Sequence, residues 1–216
     1  DTIGREDCRS DSVISIDPAS ALDLDDAFSL QRTRGRRWKL RVHVADVSHY
    51  VKANSLIDRE ARLRGNSTYL VDRVIPMLPS SLSNGLCSLH PDADRLTKCV
   101  EFTLTSEGKV LETRFFSALI RSKRRFSYTE AMGLIHGTQQ GHLETMLRSS
   151  DRLAQKIRAQ RIRSGSLEFQ SREIRLLLNR RGRVKAIEPV IHDRAHQLIE
   201  EFMLLANEAV ATHLSK

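Results

Sequence analysis

Four carboxylates, Asp17, Asp23, Asp25 and Asp26, fall within ten residues of a chain that is basic overall. Two carboxylates about 4 Å apart repel by roughly 4 kcal/mol at an effective dielectric near 20, so four that converge need cations bound or protons shared. A hard divalent ion is the simplest remedy, and carboxylate oxygens suit Mg²⁺ or Mn²⁺. Two blander readings stay open at this level. One is a solvated acidic loop whose side chains point apart, the usual fate of an Asp-rich loop. The other is a calcium-stabilised structural segment, although an EF-hand is excluded: Phe28 and Arg34 stand where the calcium loop needs its Gly and its bidentate Glu.

The elements that would position these carboxylates can be read from hydrophobic period. Val13, Ile14 and Ile16 lead as a strand into Asp17, and Phe28 and Leu30 leave the acidic loop as a second strand. From Trp38, apolar Leu40, Val42 and Val44 alternate with Lys39, Arg41 and His43, the period of a half-buried strand. Residues 56–65 predict a short helix ending on Gly65. Residues 75–89 contain Pro76, Pro79 and Asn84-Gly85, which predict loop and a turn despite their apolar content. Val100, Phe102 and Leu104, the turn at Ser106-Glu107-Gly108, and the residues from Val110 predict a hairpin. Beyond it the pattern becomes helical over 128–136, 141–163 and 193–214. Strands first and helices later predict an α+β fold, a mixed or antiparallel sheet with helices packed on it. We expect one domain over 1–216, with a strand-rich part at 1–125 that carries the acidic site and a helix-rich part at 126–216.

The balance of 35 Lys and Arg against 27 Asp and Glu gives a formal charge of +8, which favours a polyanionic partner over an acidic protein surface. No apolar run approaches bilayer length, and the first residues are too polar and acidic for a signal peptide, so the expected compartment is the cytoplasm. Nothing in the sequence points to an obligate protein partner. Cys8, Cys87 and Cys99 lie far apart without a C-x-x-C pair, which predicts reduced, partly buried thiols rather than a disulfide framework or a zinc cluster. The chain starts at Asp1 and stops at Lys216 within a helical pattern, and we read it as a fragment of a longer polypeptide. Two basic runs, Arg121 with Lys123 to Arg125, and Arg158 with Arg161 and Arg163, are either phosphate contacts or, more commonly, solvated faces. His43 and His49 read as structural, since no Ser or Cys nucleophile accompanies them.

The pattern D-P-x-x-A-x-D-x-D-D over 17–26, followed by WKLRVHVADVSHYV over 38–51, resembles the RNB catalytic domain of the ribonuclease II/ribonuclease R family. The resemblance continues through LIDREA at 56–61, RGNSTY at 64–69, VIPMLP at 74–79, LSNGLCSL at 82–89, DRL at 94–96 and AHQLIEE at 195–201, in family order and over almost the whole chain. The wording is nearer the ribonuclease R branch.

This resemblance implies a 3′→5′ exoribonuclease that hydrolyses single-stranded RNA to nucleoside 5′-monophosphates. Asp17, Asp23, Asp25 and Asp26 would hold the catalytic Mg²⁺ ions, with Mn²⁺ able to substitute. In a two-metal scheme one ion activates the attacking water and the other stabilises the departing 3′-oxygen. Asp23 has a second reading, as a residue that orients a water or a neighbour. Tyr69 matches the family aromatic that packs on the 3′-terminal nucleotide, and Phe169 resembles the second aromatic of that stacking clamp; on the residues alone, each reads as a core aromatic. Asn84-Gly85 reads as a turn and Glu200-Glu201 as a helix face near the site. The family domain continues past the point matching Asn207, so the resemblance also implies a domain incomplete at its C-terminus and a fragment with little or no activity alone. The alternative is a family member that binds RNA without cleaving it.

Overall fold

Alternation of apolar and polar residues decides the central layer. A computed structural model describes residues 2–167, 174–179 and 181–216. Its strands are β1 (Glu6–Asp7), β2 (Ile14–Asp17), β3 (Asp26–Thr33), β4 (Arg37–Ala45), β5 (Thr68–Tyr69), β6 (Val74–Ile75), β7 (Asp94–Leu104), β8 (Val110–Arg121), β9 (Arg124–Ser127), β10 (Ile174–Leu178) and β11 (Val184–Pro189). Seven of them form one sheet in the order β1-β8-β7-β4-β3-β2-β9. The β1–β8 and β2–β9 pairs are parallel and the rest antiparallel, so the sheet is mixed.

Successive side chains of a strand point to opposite faces, and each face here has its own core. Leu40 and Val42 of β4 join Phe28, Leu30, Val100 and Phe102 on one face. Against that face pack α3 (Tyr128–His136), α4 (His142–Arg163) and α5 (Arg194–Leu214), through Leu134, Leu147, Leu153, Leu198 and Phe202 among others. Cys8, Val13, Leu24, Ala27, Leu89, Cys99 and Ile120 form the second core on the other face. There the sheet is covered by the N-terminal segment, by α1 (Val47–Tyr50) and by the chain around 82–89. α2 (Leu56–Arg64) starts at Ser55, whose side chain accepts from the Asp58 backbone N–H, and stops at Gly65 with φ 76°. Among the described residues, no helix is long and apolar enough to cross a membrane.

α4 and α5 are joined by polar links as well as apolar packing. Arg194 donates to Asp151 at 3.0 and 2.5 Å, Gln155 to Gln197 at 3.3 Å, and Arg161 to Glu201 at 3.0 and 2.5 Å. Glu201 is completely buried. The Glu200-Glu201 pair is therefore divided: Glu200 is exposed, while Glu201 and Arg161 hold two helices together.

Three expectations change. The Asn84-Gly85 turn is instead part of a π-helical turn over Leu82–Leu86, closed by Cys87 N–H donating to the Leu82 carbonyl at 2.9 Å. Its stabilising partner is remote: Arg95 donates to the carbonyls of Ser88 and Gly85. The helix-rich half also contains a hairpin, β10–β11, whose turn is organised by Asn179 accepting from the backbone of Arg181 and Arg183. The cysteines are free as expected but fully rather than partly buried, because all three sit in the second core.

Candidate functional site

The carboxylates occupy the junction of β2, β3 and the chain between them. Asp17 ends β2 opposite Ser127 of β9, and Asp26 opens β3 opposite Val44. The connecting loop is fastened to the second core by Leu24, which is wholly buried. The Ser88 hydroxyl accepts from the Leu24 backbone N–H at 2.9 Å and donates to the Leu22 carbonyl at 2.8 Å. The Leu89 N–H donates to the Leu24 carbonyl, and the Ala45 N–H to the Asp25 carbonyl, both at 2.9 Å. Two carboxylate-bearing strand ends and a clamped loop thus face one region.

Electrostatics show how close that convergence is. Burial raises the Asp17 carboxyl, and Asp23 adds to the rise, against the Ser15 hydroxyl, which donates to Asp17 at 2.7 Å, and the charge of Arg125. Partial desolvation raises Asp25, with repulsion from Asp23 and Asp17, although its solvent exposure screens that repulsion more than at Asp26. Asp26 is pushed up to about 7 by burial and by Asp17 and Asp25. None of the four has an ion-pair partner among the described residues. Nor are three or more His, Cys, Asp or Glu side chains gathered in metal-ligand geometry among those residues. The quartet shares one field without closing into a ligand cluster among the described residues. An all-oxygen donor set of this charge fits a hard divalent ion and is unsuited to soft metals.

Tyr69 of β5 lies over the same loop. Its ring is 65% exposed while its hydroxyl donates to Asp23 at 2.8 Å, so an open aromatic face stands beside the acidic group. Phe169 lies outside the described residues. Of the first basic run, Arg125 donates to the Pro18 carbonyl, Arg121 pairs with Asp94 at 2.7 Å, Lys123 donates to the Arg9 carbonyl and Arg124 lies 3.7 Å from Glu144. These contacts fasten the sheet edge. In the second run, Arg161 is committed to Glu201. His43 is fully buried against the Thr97 hydroxyl, and burial lowers it to about 3, a structural and neutral imidazole. His49 meets Arg5 and Tyr50.

The pair that sequence reasoning missed is Tyr128 with His196. The two rings are stacked 3.6 Å apart at 10°, with His196 anchored by Asp193 at 2.7 Å. Tyr128 is pushed up to about 12 by burial and then by Asp17, Asp26 and Asp193, which places its phenol beside the acidic group. Tyr128 opens α3 behind the Ser127 capping box, and His196 is itself a member of the capping box at Asp193 that starts α5. The caps were available as a signal; the partnership across 68 positions was not.

A sheet bearing this acidic junction and these helices defines a recognised class, and the chain belongs to the RNB domain family, whose pattern it matches over residues 5–216. Ribonuclease R of Escherichia coli (strain K12) is 40% identical over 222 residues, covering 99% of this chain and 27% of that protein. Mycoplasma genitalium RNase R, solved in complex with ribose methylated single-stranded RNA, superposes with a TM-score of 0.93 at 32% identity, covering 99% of this chain and 34% of that one. The fold alone also recurs in yeast Ssd1, a pseudonuclease, at TM-score 0.74 and 20% identity over 96% of this chain. The chain spans about a quarter of the length of the curated relatives it matches.

Proposed function

We propose that this chain supplies the metal-binding part of the catalytic centre of a cytoplasmic 3′→5′ exoribonuclease acting on single-stranded RNA. The observation that carries the reading is the unpaired quartet Asp17, Asp23, Asp25 and Asp26 on a loop that Ser88 and Leu89 prevent from spreading. Similarity to ribonuclease R supports the substrate and the direction of attack. Bound among these carboxylates, Mg²⁺, or Mn²⁺ in its place, supplies an activated water and a counter-charge for the scissile phosphate.

The residues divide the remaining work. Asp26 and Asp17, at the strand ends, are the fixed donors; Asp25 and Asp23 are the more accessible ones. Tyr69 offers its exposed face to the terminal base, a contact worth roughly 1–3 kcal/mol that reads no sequence. Its hydroxyl at the same time orients Asp23. Phe169 is proposed as the second stacking aromatic. The whole of 1–216 acts as a single folding unit in this scheme.

The test is hydrolysis of a labelled single strand by the full-length protein and its Asp25→Asn form. A loss greater than about a hundredfold is expected, since even outer partners of a metal site are worth 10–100-fold. Equal rates would sink the nuclease reading and leave an RNA-binding family member.

A further inference from the structure

The far end of the strands that present the acidic loop carries the opposite charge. β3 runs from Asp26 to Thr33 and returns as β4 through a turn at Arg34–Arg36, with Thr33 paired to Arg37 and Arg32 to Trp38. Five cations therefore surround one hairpin tip: Arg32, Arg34, Arg36, Arg37 and Lys39. The four arginines are exposed, and among the described residues none of the five has a carboxylate partner.

Elsewhere on this sheet Arg41, Arg114 and Arg121 are neutralised by carboxylates. Arg41, two residues along β4 from Lys39, is held by Asp11 at 2.5 Å and Glu101 at 2.6 Å. At the tip the nearby acids are otherwise placed. Glu107 of the adjacent turn is taken by Lys156 at 2.9 Å, and Glu112 is two strands away from Lys39 in register.

The tip has internal order despite its exposure. The Arg32 guanidinium lies over the Trp38 indole, 4.6 Å from its centroid, a platform that fixes a planar fork of donors outward. Gly35 and Arg36 both take left-handed backbone, φ 75° and 58°, and a turn of this kind is more cheaply filled by Asn or Gly at the second position than by Arg. A fixed guanidinium fork matches phosphate oxygens bidentately.

We propose that the β3–β4 tip is a second docking point for the phosphate backbone of single-stranded RNA, one strand length from the acidic loop. The separation is roughly 23 Å, from seven steps of strand rise. This assignment rests on the RNA reading above for the identity of the polyanion. A strand gripped at the tip contributes affinity remote from the scissile bond, so its loss weakens binding without altering the metal site.

The test measures binding of a fluorescent oligouridine to this chain by anisotropy across a salt series. The R34Q/R36Q/R37Q variant is compared with K52Q/R59Q/R62Q, which removes the same charge from another surface. The tip variant is expected to bind about tenfold more weakly, with the logarithmic salt slope reduced by about 2, since each lost single-strand phosphate contact removes about 0.7. The control is expected to lose less than half of that. R34Q/R37Q, which leaves the left-handed Arg36 in place, should give an intermediate loss and serves if the triple variant folds poorly by circular dichroism. Wild-type affinity in the tip variants, or an equal loss in the control, would overturn the dock while RNA binding itself stands. Failure of the unmodified chain to bind would overturn the RNA reading and the dock with it.

Discussion

Glu201 and Asp26 are both carboxylates drawn into the fold, and their surroundings are opposite. Glu201 is completely buried between α4 and α5 with both oxygens occupied by Arg161. Asp151, nearly three helical turns before Arg161 in α4, repeats the arrangement in reverse with Arg194 of α5. Asp26 has Asp17 and Asp25 for neighbours and no ion-pair partner among the described residues. A buried acid that already has its cation is committed to architecture. A group of acids without one keeps its mutual repulsion, which the proposed function assigns to a cation from solution, and the chain has 35 Lys and Arg from which a partner was available.

The contrast makes opposite predictions for the same kind of substitution. Removing one partner of a buried ion pair leaves the other charge unpaired and costs about 3–5 kcal/mol. Glu201→Ala should lower unfolding stability by that amount in urea titrations; a cost below 1 kcal/mol would mean that the α4–α5 links are incidental. Asp26→Asn should do the reverse in metal-free buffer. The folded Asp26 titrates at about 7 against 3.8 for the free group, so its unfavourable contribution is absent below pH 4, grows as pH rises and is complete above 7. At pH 8 the Asn form should be more stable by on the order of 2–4 kcal/mol, and at pH 4 it should match the wild type. Mn²⁺ should raise the melting temperature of the wild type at pH 8 and leave the Asn form nearly unmoved. A wild-type stability that did not fall between pH 4 and 7 would mean that the carboxylates are solvated. The smallest effect belongs to Tyr69→Phe, which keeps the exposed ring and deletes the bond to Asp23. It should change stability by less than about 1 kcal/mol, as an exposed hydrogen bond does, while weakening Mn²⁺ affinity severalfold if Tyr69 orients Asp23.

What the residues revealed in advance follows the range of the interactions involved. Strands β2, β3, β4 and β7 announce themselves through their apolar pattern, α2 through its stop at Gly65, and α3, α4 and α5 through helical period, because those signals lie within one element. The acidic loop is legible because its crowding is local. Stacking of Tyr128 on His196, the hydroxyl of Tyr69 on Asp23, and Arg95 closing the π-helical turn at 82–86 each join positions that only the folded chain brings together. The same reason explains Arg161, which reads as surface charge until Glu201 arrives from a helix 40 positions later.

Ser88 gives the acidic loop a property that the carboxylates alone would not have. A loop free to open would relieve its repulsion by expanding when ions leave, and each rebinding event would wait for it to close. One hydroxyl ties Leu22 and Leu24 to the core, so the shape of the loop is set by the chain itself. For the metal site proposed here, that means ion exchange paced by water leaving the ion rather than by rearrangement of the chain.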